Sequence, residues 1–198
     1  MASEKQDTPV GLRSVTRRAV RAEISAKALQ LFLTQGFEET TVSQIAAAVG
    51  TSTRNVFRYF ASKEDILISD LLELGDQVAT SLADRPADED AWTALRRALQ
   101  VCVDSLEKDV NGVQKAQMLA SSPSLRTALR DKQMRWTQLL VPYVTARLES
   151  SAEMRELQAQ ALVSSALSCL DAAAMSWISQ EGKSLDDYVD VAFAAIRD

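Results

Sequence analysis

Apolar residues recur along this chain every three to four positions, in stretches that read as helices and not as strands. The first, about 14–36, sets Ile24, Ala28, Leu31 and Phe32 on one stripe. Two short segments then fill 41–60. A fourth helix is predicted from Ser62-Lys63, with Leu67, Leu71, Leu74, Val78 and Leu82 on one face, until Asp84-Arg85-Pro86 ends it. A fifth, about 90–108, carries Trp92, Leu95, Leu99, Cys102 and Leu106. Asn111-Gly112 and Ser122-Pro123-Ser124 bracket a short sixth helix. The seventh, about 124–149, contains Pro142, which removes a backbone donor and clashes one turn back, so a kink or interruption is expected near Thr137–Leu139. An eighth over about 152–180 and a ninth over about 184–197 complete an all-α chain of about nine helices.

The stretch Thr41–Phe60, TVSQIAAAVGTSTRNVFRYF, is the most specific. Thr41 and Gln44 have the spacing of a capping box, in which hydroxyl and amide side chains satisfy free N–H groups of the first turn. Ile45 and Val49 give an apolar face, and Ala46 is small enough for a second helix to cross closely. Gly50 stands where the first helix ends and the chain needs a positive φ. Ser52 is the N-cap of the next helix. Val56, Phe57 and Phe60 are expected to hold that helix to the core, while Thr53, Arg54, Asn55, Arg58 and Tyr59 face out. This is the layout of a helix-turn-helix whose second helix enters a DNA major groove. An ordinary helical hairpin with a solvated charged face is the plainer alternative. The agreement of glycine, small alanine and a surface from Thr51 to Lys63 with three cations and no acid favours the DNA-binding reading.

From about Arg18 to Leu72 the chain resembles the DNA-binding domain of the tetracycline-repressor (TetR) family of bacterial transcription regulators. The resemblance rests on ISAKALQLFLTQGF ending at Gly36-Phe37, on Thr41-Val42, Ile45-Ala46, Gly50 and Ser52, and on FRYFASKEDIL. It implies an N-terminal domain over 14–72 behind an arm of residues 1–13, and a ligand-binding and dimerisation body over 73–198. It further implies dimerisation through the last two helices, and an effector that moves helix four and changes the spacing of the two DNA-binding heads.

Charge is distributed to suit. The net charge is −5, but residues 11–63 hold eight cations against Glu23, Glu38 and Glu39, a local +5. Phosphates respond to the local field, so a cationic end on an acidic body can bind and orient. Arg13, Arg17 and Arg18 are either further phosphate or minor-groove contacts or a solvated arm.

The same inventory narrows the chemistry. There is no histidine, which removes the usual general base and commonest metal ligand. Cys102 and Cys169 are far apart among apolar neighbours and read as buried, inert thiols rather than a zinc site. No phosphate-cradling glycine loop and no nucleophile elbow occurs. The expectation is therefore a non-enzyme without cofactor or metal. Six glycines and four prolines in 198 residues leave little for sheet turns. No run of 18 apolar residues marks a membrane span, and MASEKQDTPVGLRS lacks the apolar core of a signal peptide, so a cytoplasmic location is expected.

In the body, an effector pocket is expected from Trp92, Leu99, Cys102, Met118, Trp136, Leu139, Tyr143 and Met175, with Leu95 beside them. Trp136 and Tyr143 lead because each has a polar tip needing a partner when buried. No cluster of charge in the body marks a strongly charged ligand, so a small apolar or aromatic effector is expected. Helix eight sets Val163, Leu167, Leu170, Ala174 and Trp177 on one stripe beside a small-residue stripe with Ser164, Ser168 and Ala172; helix nine adds Phe193 and Ile196. A four-helix interface between two subunits would use Ser164, Leu167, Ser168, Ala172, Phe193 and Ile196.

The function read from the sequence is a ligand-responsive, homodimeric repressor of a palindromic operator. Thr53, Arg54 and Asn55 would approach base edges from a helix capped by Ser52; Thr41, Tyr59 and Lys63 would hold phosphates; Arg58 could do either. Two rivals stand beside it: a helical ligand carrier or enzyme that retains a vestigial helix-turn-helix, and a protein-binding adaptor that uses the hairpin against a partner.

Overall fold

The computed structural model describes residues 11–179 and 182–197. Every regular element among them is helical: α1 (Leu12–Gln35), α2 (Val42–Ala48), α3 (Thr53–Phe57), α4 (Lys63–Ala83), α5 (Ala91–Ala98), α6 (Gln100–Lys108), α7 (Gly112–Ser121), α8 (Pro123–Thr145), α9 (Ala152–Trp177) and α10 (Leu185–Arg197). Of the arm expected over 1–13, residues 1–10 lie outside the described residues, and α1 begins at Leu12. None of the described helices is long and apolar enough to cross a membrane.

Two details differ from the sequence reading. The helix expected over 90–108 divides at Leu99 into α5 and α6. Leu99 keeps right-handed angles (φ −69°, ψ −8°) and its N–H still reaches the Leu95 carbonyl at 3.0 Å. Cys102 N–H reaches the Leu99 carbonyl at 2.9 Å, so the division is one tightened three-residue turn. Conversely, α8 runs without interruption through Pro142. Pro142 removes one N–H donor from the backbone ladder, but the flanking Leu140 and Val144 are fully buried in the core and the helix continues to Thr145. Thr137, at the expected break, instead turns its hydroxyl to the Gln133 carbonyl at 2.9 Å.

The chain divides into two compact units, and the division falls inside α4 between Leu67 and Ile68. The first unit is built on Ile24, Ala28, Phe32, Phe37, Ile45, Val56 and Phe60, all buried. Phe32 and Phe37 bring their rings to 5.0 Å across the end of α1, where Gly36 turns at φ +92° and its N–H closes on the Phe32 carbonyl.

In the second unit α9 packs along α8 and α10 and against α5. Its core includes Val78, Leu82, Leu95, Leu99, Val103, Leu140, Val144, Val163, Leu167, Val189 and Phe193. Helix ends are tied by side chains. Arg147, just after α8, donates through Nη2 to the carbonyls of Leu82 (2.9 Å) and Arg85 (3.0 Å), closing the C-terminus of α4. Glu107 of α6 accepts the Leu185 N–H at 2.7 Å, where α10 begins.

Candidate nucleic-acid interface and effector cavity

The turn between α2 and α3 is fixed at both ends. Gln44 N–H donates to Thr41 Oγ1 at 3.2 Å, and Thr41 N–H donates to Gln44 Oε1 at 2.8 Å, a reciprocal capping box. At the other end Gly50 adopts φ +69°. Its N–H reaches the Ala47 carbonyl at 3.1 Å and Thr51 N–H reaches the Ala46 carbonyl at 2.9 Å, the paired closure of a Schellman motif. Asn55 N–H then donates to Ser52 Oγ at 3.2 Å and starts α3.

Val56 on α3 and Phe60 in the turn that follows it face the core, and Phe60 N–H reaches the Val56 carbonyl at 3.1 Å. Phe57 does not: it is 50% exposed, which corrects the expectation that it anchors the helix. Val56 and Phe60 are four residues apart and share a face, whereas Phe57 lies about 100° round from Val56. Phe57 thus joins Arg54 and Arg58 among the exposed side chains of this segment. Thr41 and Ser52 are exposed; Thr53, Asn55, Tyr59 and Lys63 are half-buried. Arg17 and Arg18 are exposed on α1, and the Arg13 side chain lies outside the described set.

Several polar groups here already have protein partners. Asn55 Nδ2 donates to Thr51 Oγ1 at 2.8 Å, leaving its carbonyl oxygen outside that bond. Arg58 donates to the Tyr59 hydroxyl at 3.1 Å and lies 5.1 Å over that ring. Lys63 Nζ donates to the Phe37 carbonyl at 2.7 Å and the Glu38 carbonyl at 3.2 Å, and sits 4.3 Å over the Phe37 ring. The ammonium therefore ties the start of α4 to the loop after α1. Arg21 was legible only as charge. It stacks 4.3 Å over Phe60 and donates to the Tyr59 carbonyl, which fastens α1 to the turn after α3.

The second unit holds a half-open cavity of about 280 Å³, with walls from α4, α6, α7, α8 and α9. Its lining is mostly apolar, with Leu71, Leu74, Leu106, Leu119, Leu129 and Leu170, plus Met175 and Ile178. Of the residues expected to line a pocket, Cys102, Trp136 and Met175 do. Trp92 and Leu99 do not; they are core residues. Trp92 stacks on Phe193 at 4.5 Å and donates to its carbonyl at 3.3 Å, and Leu99 is fully buried. Leu139 is half-buried against the core, and Met118 sits one residue from the lining residue Leu119. Tyr143 shares a helical face with Trp136 but lies two turns, about 10 Å, further along α8, and it is exposed.

Three charged lining residues escaped the sequence reading: Arg126, Lys132 and Asp171. They come from α8 and α9, and no local pattern marks them as neighbours. Arg126 donates to the carbonyls of Ala120 (3.1 Å) and Ser121 (3.5 Å), closing the end of α7. Lys132 places Nζ 4.5 Å over the Trp136 ring. Asp171 lines the cavity and is exposed, and desolvation by the surrounding protein pushes its carboxyl above the usual range, with Lys132 pulling the other way. The Cys102 thiol is pushed up to about 12, first by burial, with Lys132 opposing and Asp171 adding, so it is not a thiolate at neutral pH. Trp136 Nε1 is buried and has no hydrogen-bond partner among the described residues.

The expected dimer stripe splits in two. Leu167 and Phe193 face the subunit core, whereas Ser164, Ser168, Ala172 and Ile196 are exposed. No group of His, Cys, Asp and Glu among the described residues could hold a metal ion.

Residues 24–69 match the model for bacterial regulatory proteins of the tetR family, and residues 89–198 match the model for the MftR C-terminal domain. The HTH-type transcriptional regulator TcmR of Streptomyces glaucescens is 35% identical over 129 residues, covering 61% of this chain and 57% of TcmR. The match thus spans little more than half of that relative's length. MftR of Mycobacterium tuberculosis is 25% identical over 174 residues, 87% of each chain. The transcriptional regulator FadR from Bacillus subtilis, solved in complex with stearoyl-CoA, shares the fold with a TM-score of 0.60 at 18% identity, over 88% of this chain and 96% of that one.

Proposed function

The chain belongs to the tetR family of bacterial regulatory proteins, and on that premise we propose that it is a homodimeric repressor released from a palindromic operator by a compact, largely apolar effector. The observation that carries the DNA-binding half is the cation-only surface from Thr51 to Lys63, on which Arg54, Phe57 and Arg58 are exposed. Thr53, Arg54 and Asn55 approach base edges from the start of α3. Arg58 contacts a base edge or a phosphate, Tyr59 and Thr41 hold phosphates, and Phe57 offers an apolar face to a thymine methyl group. Lys63 contributes positive field near the backbone while bonded to the loop carbonyls.

The exposed stripe of Ser164, Ser168 and Ala172 on α9 supports a twofold interface with small side chains at its centre. Two recognition helices then stand about one duplex turn apart, ~34–36 Å or somewhat more. The cavity supports the effector half. Leu71 and Leu74 on its wall belong to α4, the helix that begins with Lys63 in the first unit. An effector that prefers one placement of α4 shifts the operator equilibrium; equal affinity for both placements shifts nothing.

Gel shift against the promoter region beside its own gene tests this reading. Arg54→Ala should remove sequence discrimination, about 1–3 kcal/mol per lost base contact. Lys63→Ala should weaken all sequences alike and reduce the salt slope by about 1. Equal affinity of the unmutated protein for random and promoter DNA contradicts it.

A further inference from the structure

The cavity lining is apolar except for Arg126, Lys132 and Asp171, and Lys132 stands over the Trp136 ring on the same lining as Asp171. Lys132 acts on Asp171 through space, with no hydrogen bond between them. One positive and one negative group thus stand at the same wall, each with capacity left over. Lys132 has three N–H donors and is held by a ring face. Asp171 accepts no bond from the ring-bound ammonium. Trp136 Nε1 is a buried donor without an acceptor.

We propose that this wall selects an uncharged effector, a compact apolar body carrying both a hydrogen-bond donor for Asp171 and an acceptor for Lys132. This rests on the ligand-gated reading above and adds the ligand's charge and functional groups. The physical argument is one of balance. A ligand cation would pair with Asp171 but stand beside the Lys132 ammonium. A ligand anion would pair with Lys132 but stand beside the Asp171 carboxylate. Either leaves one like-charge contact without a partner at this half-open wall. A neutral ligand with a hydroxyl or N–H and a carbonyl satisfies both residues. The same wall rejects a plain hydrocarbon, which would displace water and leave Lys132 and Asp171 unmatched. Arg126, a second cation on the same lining, is already engaged by the carbonyls at the end of α7.

Three probes with one apolar body test the assignment on the full chain: acetylnaphthol (neutral, donor plus acceptor), naphthylacetate (anion) and naphthylmethylammonium (cation). Acetylnaphthalene, without the hydroxyl, is the fourth. Titration calorimetry should give acetylnaphthol at least a tenfold tighter Kd than either ion or the parent ketone. Asp171→Asn and Lys132→Gln, both near in shape to the originals, should each bring acetylnaphthol within about threefold of acetylnaphthalene. Equal or tighter binding of either ion overturns the inference, as does no binding of acetylnaphthol or full retention of its advantage in both variants. Gel shift with the same probes separates this from the gating reading. Promoter release by an ion leaves gating intact and refutes the neutral ligand. Binding of acetylnaphthol with the promoter complex undisturbed does the reverse.

Discussion

Gly75 and Trp136 are fitted to one another: a β-carbon on residue 75 would lie 2.5 Å from the indole Nε1 and 2.9 Å from two further ring atoms. The indole is only 2% exposed. A glycine in the middle of α4 costs helix stability, and here it lets a tryptophan of α8 lie against the helix backbone beside the cavity.

Gly75→Ala should therefore destabilise the protein. Overpacking costs about 1–3 kcal/mol and the helix-propensity gain returns about 1, for a net loss of up to about 2 kcal/mol. Urea denaturation reads the sign directly, because the propensity gain alone would raise the midpoint.

Trp136→Phe should be much milder than Trp136→Ala. Phenylalanine keeps most of the ring packing and removes a buried donor that has no acceptor, so the change should stay within about 1 kcal/mol. Alanine should cost about 3–5 kcal/mol through the cavity it leaves. Comparable losses in the two variants would mean the indole N–H has a partner after all.

Phe57→Ala separates the interface from the core. With half its surface exposed, Phe57 contributes little to folding, and the substitution should change stability by no more than about 0.5 kcal/mol. Promoter affinity should nonetheless fall several-fold. Unfolding of the first unit, or unchanged DNA affinity, would remove Phe57 from the proposed contact surface.

Glu89 sets part of the acid limb of stability. Its carboxyl is held below the usual range, first by hydrogen bonding from Arg85 at 2.7 and 2.9 Å, with Arg97 adding attraction and burial opposing. The folded value is depressed, so the stabilisation is complete above the unfolded carboxylate range near ~4.3 and disappears as pH falls through the folded value. Glu89→Gln should thus lose stability at pH 7, and its denaturation curve should converge on that of the unmutated protein toward pH 3. A difference that persists undiminished at pH 3 contradicts an ionic origin.

Much of the DNA-binding unit was legible in the sequence because its determinants are local. The capping box of Thr41 and Gln44, the positive φ at Gly50 and the Ser52 cap are each written within a few residues, and all three appear as read. Phe57 departs from the expectation because an aromatic in so short a helix carries no local sign of which side it faces. With only Thr53–Phe57 in α3, the helical phase is set by Val56 and Phe60. The cavity was less legible because its walls come from five helices far apart in sequence. Trp136 has a signal of its own in an amphipathic ring. Asp171 and Lys132 look like ordinary surface charges until α8 and α9 are laid side by side. Pro142 shows the same limit: the burial of Leu140 and Val144 on either side of it is a tertiary fact that periodicity does not fix.

Nuclease footprinting on the region upstream of its own gene, with excess unrelated duplex as competitor, tests the central claim most directly. A pair of protected half-sites related by twofold symmetry, lost when Arg54 is replaced by alanine, is the predicted result. Absence of any protected site, or a footprint that survives Arg54→Ala unchanged, would contradict recognition through the exposed face of α3.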